Sequence, residues 1–303
     1  PVVLRHFRQF DRRHHIRHGV DEVRQDRLHH HNVRMDDALR HLLPAKLPLD
    51  IGNLVVSPAG EYLAVTMEVF AGQDAEKTAE KLEAIEKRKA TGRLYEKLFV
   101  RHWDTWSDGR RSHVFVVPKK GGEAKDLMPA MDADSPSKPF GGPEEIAFTP
   151  DGKGLVFTAR DAGREEAWST DFDLYYVSVD GSAPPRCLTE ANQAWDTTPV
   201  FSPDGKTLAY LAMARPRYEA DRFRVALKPW PEGQERVLTE AWDYSVASFC
   251  WTPDGQKILA TAPNKGQTSL FAVDVTTGKA DTLDDQRTDN GFAPAEGGIV
   301  YER

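Results

Sequence analysis

Past residue 46 the chain is written in short apolar runs separated by polar turns. Ile146-Ala147-Phe148 and Leu155-Val156-Phe157, for example, flank Thr149-Pro150-Asp151-Gly152. Runs this short, bounded by Pro, Asp and Gly, read as β-strands rather than helices. The same corner recurs at Ser57-Pro58-Ala59-Gly60, Ser202-Pro203-Asp204-Gly205 and Thr252-Pro253-Asp254-Gly255, with a degenerate copy at Ala293-Pro294-Ala295-Glu296-Gly297. Its chemistry is that of a tight turn. The Ser or Thr hydroxyl bonds nearby backbone, Pro presets φ at the second position, Asp suits the third, and Gly closes the turn.

Each corner is followed by further strand signals. After Thr149 to Gly152 come Leu155–Ala159, Leu174–Val179 and Arg186–Thr189. The next unit runs through Phe201, Leu208–Leu211, Phe223–Leu227 and Arg236–Thr239. The one after runs through Phe249–Trp251, Ile258–Thr261, Leu270–Val275 and a polar tail to Leu283. Four strands per unit, with the turn prolines 53, 50 and 41 residues apart, is the cadence of β-propeller blades. The 92-residue gap from Pro58 to Pro150 holds one further third-strand candidate, Val114–Val117, and so reads as one blade with an insertion. The expectation is an all-β propeller of about four and a half four-stranded blades over 47–303, incomplete, its open edge meaning either that the chain is a fragment or that a partner supplies the remainder. A helical insertion occupies 71–106 of the first blade.

Within that insertion Ala75 to Ala90 is rich in Ala, Glu and Lys, all strong helix formers. Ala75, Ala79, Leu82 and Glu86 share one face, Glu83 and Lys87 form an i,i+4 pair, and Gly92 suits a C-terminal cap. This predicts a surface helix on a long hairpin. Trp103-Asp104, Trp195-Asp196 and Trp242-Asp243 resemble WD dipeptides but fall out of phase with the blades. They are better read as tryptophans packing between blades, the first ordering the insertion.

Residues 1–46 differ in kind. Eight of the ten histidines lie at or before His41, interleaved with nine arginines. His14 and His18 are spaced i,i+4, but no acidic or cysteine partner recurs at ligand spacing, so a poorly ordered or non-native basic extension is the expectation rather than a metal site. No apolar signal-peptide core is visible there. The formal charge of −7 and pI near 5.8 argue against a nucleic-acid surface, and no apolar run is long enough for a transmembrane helix. Cys187 and Cys250 fall in different blades and read as two buried free thiols. No Gly-x-Ser-x-Gly elbow, phosphate loop, dinucleotide fingerprint or zinc spacing occurs, so no catalytic residue, metal or cofactor is assigned.

Longer stretches carry a resemblance. Phe201–Tyr210, then Met213-Ala214-Arg215-Pro216-Arg217-Tyr218-Glu219-Ala220-Asp221-Arg222-Phe223-Arg224, resemble the propeller of the prolyl oligopeptidase family, in its dipeptidyl-peptidase and acylaminoacyl-peptidase branch. Leu94–Trp106, continuing through Asp108–His113, is similar to the first-blade insertion of that branch, and Phe271–Asp274 also fits. The resemblance runs from Leu47 to the end. It implies a non-catalytic N-terminal propeller that gates and anchors short peptides for a C-terminal α/β-hydrolase domain bearing Ser, Asp and His, with a periplasmic or cytoplasmic location. It further implies a substrate loop of Tyr218, Glu219, Asp221 and Arg222. Glu219 is the first choice to pair with a substrate's α-ammonium and Asp221 the second, while Arg222 holds a peptide carbonyl or orients the acids. A stand-alone, protein-binding propeller of the TolB type is the alternative reading.

Overall fold

The computed structural model describes residues 47–303 apart from 96, 97, 99, 286–290, 296, 297 and 303. The basic extension expected over 1–46 lies outside the described residues. The first sheet begins with β1 (Ile51–Val56) and β2 (Tyr62–Phe70). An insertion follows, holding α1 (Ala75–Glu86), β3 (Arg101–His102) and β4 (Thr105–Trp106). The sheet is completed by β5 (Arg110–Pro118) and β6 (Lys125–Asp126). The second sheet is β7 (Ile146–Phe148), β8 (Gly154–Ala159), β9 (Asp173–Ser178) and β10 (Arg186–Cys187). The third is β11 (Asp196–Phe201), β12 (Thr207–Ala212), β13 (Arg224–Pro229) and β14 (Arg236–Val237). The fourth is β15 (Ser248–Trp251), β16 (Lys257–Asn264), β17 (Gln267–Asp274) and β18 (Ala280–Asp284). A last hairpin pairs β19 (Gly291–Ala295) with β20 (Gly298–Glu302).

Every four-stranded sheet is an antiparallel meander in which neighbours in sequence pair in space. These are four blades and the first two strands of a fifth. The core lies between the blades. One apolar layer joins Val114 and Val116 of the first blade to Leu155, Phe157 and Val177 of the second. The next joins Val156 and Leu174 to Leu208, Tyr210 and Ala226. A third joins Leu211, Val225 and Leu227 to Phe249, Trp251, Ile258 and Val273. A middle strand such as β8, covered on both faces, is therefore buried along its whole length. Trp195 and Trp242 pack as expected, whereas Trp103 is exposed. Trp195 stacks on Phe172 at 4.5 Å and meets Phe223 edge-on at 5.8 Å, bridging the second and third blades. Trp242 meets Phe271 at 4.9 Å.

The repeated corners fold by the chemistry of their words. Thr149 Oγ1 accepts from Gly154 N at 2.9 Å and donates to Asp151 Oδ1 at 2.6 Å, while Asp151 Oδ1 also accepts from Lys153 N. Ser202/Asp204 and Thr252/Asp254 repeat the pattern. The corners of successive blades also lie against one another. A Cβ added to Gly205 would lie 2.8 Å from Pro150 Cβ and 2.9 Å from its Cγ, so each blade's turn leans on the proline of the blade before.

Three expectations are corrected. Pro294 lies within β19, opposite Ile299, so the degenerate fifth corner is not a turn at its proline; its Glu296 and Gly297 lie outside the described residues. The helix stops at Glu86 with Lys87 as its C-cap, whose N–H reaches Glu83 O and Ile85 O. It does not continue to Ala90 with Gly92 as cap, because beyond Glu86 every side chain to Arg93 is exposed and there is no face left to bury. The buried stripe uses Ala75 and Thr78, with Ala79 and Leu82 half-buried, whereas Glu86 is exposed. The expected Glu83–Lys87 ion pair forms. Cys187 and Cys250 are free thiols, but half-buried rather than buried.

Candidate functional site

In an antiparallel meander the connectors alternate ends. The Pro-Asp-Gly corners occupy one end of the blades. The β2–β5, β8–β9 and β12–β13 connectors occupy the other, together with the links from one blade to the next. The expected substrate residues lie on this second end, in the loop between β12 and β13.

That loop is tied down from several sides. Asp221 Oδ2 accepts from the backbone N–H of Ala214 and of Arg215, each at 2.8 Å. Burial raises its carboxyl, but the N–H groups of Ala214, Arg215 and Arg222 outweigh this and hold it below its ordinary value. Arg222 spends its guanidinium on the link to the fourth blade, donating to Trp242 O and, at 2.8 Å, to Glu240 O. Tyr218 stays exposed with Arg215 over its ring at 3.9 Å. Arg217 sits in the left-handed region at φ 63°, donates its N–H to Thr170 Oγ1 at 2.7 Å, and reaches Glu165 at 3.5 Å. The loop thus leans on the β8–β9 connector of the second blade. Glu219 is exposed. Its charge acts on Arg160, which donates to Ser169 O at 2.6 Å and lies 4.5 Å from the Phe172 ring. Burial lowers the Arg160 guanidinium, opposed by the charges of Glu166 and Glu219.

Sequence reasoning missed the charged network beside this loop. Arg111, at the start of β5, donates to Asp132 at 2.9 Å, to Asp134 at 2.9 Å, and in a fork to both oxygens of Glu166 at 2.8 and 2.6 Å. Lys138 adds contacts to Asp134 at 2.8 Å and Glu68 at 3.0 Å. Burial disfavours the Arg111 cation, yet Glu166, Asp134 and Asp132 more than offset that and raise its pKa. The network fixes the short turn Gly163–Glu165. It leaves Glu165, neighbour of Glu166, exposed and bonded to Trp168 Nε1. The signal in the sequence was present as two carboxylate pairs, Asp132-Ala133-Asp134 and Glu165-Glu166, but their common partner lies 21 to 55 residues upstream.

Two deeper groups complete the end. Asp196, fully buried at the start of β11, accepts from Asn192 Nδ2 at 2.8 Å, and its other oxygen has no partner among the described residues. Burial pushes its carboxyl up to about 8. Asp171 is pushed up to about 6 by burial and by Asp173. His113 is a packed structural residue, its ring nitrogens 2.8 Å from Asp126 Oδ2 and 3.1 Å from Met131 O. Among the described residues no cluster of three or more His, Cys, Asp or Glu could hold a metal ion, and no helix is long and apolar enough to cross a membrane.

Four-stranded meanders and interlocking corner turns define a β-propeller architecture, with its longer connectors gathered at one end of the blades. No protein-family model matches the chain. Among curated proteins it is 32% identical over 195 residues to dipeptidyl-peptidase 5 of Porphyromonas gingivalis, covering 63% of this chain and 28% of that protein. It is 30% identical over 269 residues to a probable dipeptidyl-peptidase 5 of Emericella nidulans, covering 83% and 37%. Among solved structures, the uncomplexed acylaminoacyl peptidase of Pyrococcus horikoshii aligns over 86% of this chain and 36% of its own, with 13% identity and a TM-score of 0.57, and so shares the fold. By these likenesses the chain is a propeller region of the prolyl oligopeptidase type, similar to the dipeptidyl-peptidases named above. It spans roughly a third of the length of these curated relatives.

Proposed function

We propose that this region is the non-catalytic, substrate-handling part of a dipeptidyl-peptidase, and that it holds the free amino end of short peptides for an α/β-hydrolase domain. The observation that supports this most is the pair of exposed carboxylates on one end of the blades. Glu219 and Glu165 come from adjoining loops that Arg217 joins. A carboxylate bonded to an ammonium makes a charge-assisted hydrogen bond stronger than a neutral one. Asp221 and Arg222 then serve to shape the loop that presents Glu219, since their polar atoms already serve the backbone, and Tyr218 offers an aromatic wall beside it. The curated relatives reported above are dipeptidyl-peptidases, which favours this reading over a stand-alone binding propeller.

The test is Glu219→Ala in the polypeptide joined to the hydrolase domain of a relative. KM for free-amine dipeptide substrates is expected to rise about tenfold, the scale of one partly exposed charge-assisted bond. N-acetylated substrates should be indifferent. An unchanged kcat/KM for the free-amine series sinks the assignment.

A further inference from the structure

The first-blade insertion carries a surface that the anchoring loop does not use. Between 87 and 101 the sequence places six Lys or Arg against a single Glu, in a chain whose overall charge is −7. Arg88, Lys89, Arg93 and Arg101 are all exposed. Interleaved with them is an aromatic shelf. Trp103 and Phe140 stack on each other at 5.3 Å while remaining 71% and 74% exposed. Trp106 packs against Tyr95 at 5.7 Å, with Arg101 lying 5.4 Å from the Trp106 ring. Arg93, Tyr95 and Trp106 line an open, largely apolar groove of about 380 Å³. The Tyr95 hydroxyl is buried without a hydrogen-bond partner among the described residues.

Water-exposed tryptophan and phenylalanine in stacked contact are costly to leave bare, and contiguous apolar surface rimmed by charge marks an interaction site. Aromatic residues and arginine are the types that dominate binding hot spots. The backbone of β3 and β4 forms a two-residue ladder that holds Trp103 at the turn with φ 48°. The shelf is therefore presented by a fixed element rather than by a wandering loop. A basic island on an acidic protein selects an acidic occupant through charge complementarity, and the groove selects one with apolar side chains.

We propose that the groove lined by Arg93, Tyr95 and Trp106, together with Arg101 and Trp103 of the same hairpin and the Phe140 that stacks on Trp103, binds an extended acidic segment of another polypeptide. Carboxylates of that segment pair with the arginines, and its apolar side chains lie on the aromatic shelf. This site needs no free amino end and is independent of Glu219.

The experiment is fluorescence anisotropy with the full 303-residue chain and a fluorescein-labelled, N-acetylated, C-amidated peptide alternating Glu and Leu around one Phe. Blocking the amino end removes any contribution from the ammonium anchor. Saturable binding is expected, weakening as salt rises. Arg93→Glu/Arg101→Glu should weaken it about tenfold or more, as lost exposed ion pairs and new repulsion combine. Trp103→Ser/Phe140→Ser should weaken it by a similar factor. Both pairs are exposed, so each variant reports on the surface and not on folding. Glu219→Ala should leave this affinity unchanged. The proposal is overturned if the Lys-for-Glu peptide binds as tightly, if neither double variant changes affinity, or if single-stranded DNA of equal charge competes as well as the peptide does.

Discussion

Gly205 offers a direct measure of how far the blades depend on their interlocking corners. It sits at φ 70°, and an added Cβ would lie 2.8 and 2.9 Å from Pro150 Cβ and Cγ, a ring that cannot rotate away. Gly255 is its counterpart one blade on, at φ 68°, but there the nearest atom is Pro203 Cδ at 3.8 Å, an ordinary contact. Gly255→Ala therefore meets left-handed strain alone, about 1–2 kcal/mol. Gly205→Ala meets the same strain plus overpacking, roughly 1–3 kcal/mol more. Equilibrium urea denaturation of the two variants and the parent, compared at a shared m-value, reads the difference. Adding Pro150→Ala to Gly205→Ala removes Cγ and should recover part of the loss, as coupled neighbours do. Equal destabilisation by the two glycine substitutions would refute the idea that the corners bear on one another.

Three further outcomes follow from the charged end. Arg111→Met strands Glu166 largely buried and leaves Asp134 with Lys138 and the Ser112 N–H, so a loss of roughly 3–5 kcal/mol is expected; urea midpoints check it, with Arg111→Lys falling between because it keeps charge but loses the fork. Asp196 has its folded pKa raised to about 8, so it binds a proton in the folded state that the unfolded chain has already released above about 4. Its favourable contribution is complete below about pH 4 and is lost as pH rises through 8, and Asp196→Asn should flatten that fall in stability. A pH series of denaturation midpoints in which the variant keeps the parent's slope would contradict this. Thr78→Val removes the hydroxyl that accepts from Phe70 N at 3.2 Å within a buried contact. It should cost about 1–2 kcal/mol, and amide exchange at Phe70 should rise.

Much of this architecture is legible in the chain because it is local. A hydroxyl, a proline, an aspartate and a glycine within four residues specify each corner, and the apolar runs beside them specify its strands. The helix was legible as a stripe at Ala75, Ala79 and Leu82, but its end was not. Composition continues past Glu86 while the surface it packs on does not. Pro294 shows the opposite failure, a familiar word in a strand where β19 needs only extended φ. The fourth strands of the first three blades are two residues long and carry little signal of their own. The Arg111 network was illegible for a different reason. Its members come from β5, from the link after β6 and from the β8–β9 connector, and only the stacking of two blades brings them together. In the β12–β13 loop, proposed to hold substrate, sequence named the residues. Structure separated them by occupation, with Asp221 and Arg222 bonded to backbone and Glu219 left facing water.

The central claim is that this region handles peptide amino ends and supplies no nucleophile. A fluorophosphonate serine-hydrolase probe and a panel of dipeptidyl and acyl-aminoacyl chromogenic substrates, applied first to this chain and then to it joined to a relative's hydrolase domain, test that claim most directly. The account predicts no labelling and no turnover by the chain alone, and dipeptide release from free-amine substrates by the joined protein. Labelling or turnover by the chain alone, or a joined protein that cleaves only blocked substrates, would contradict it.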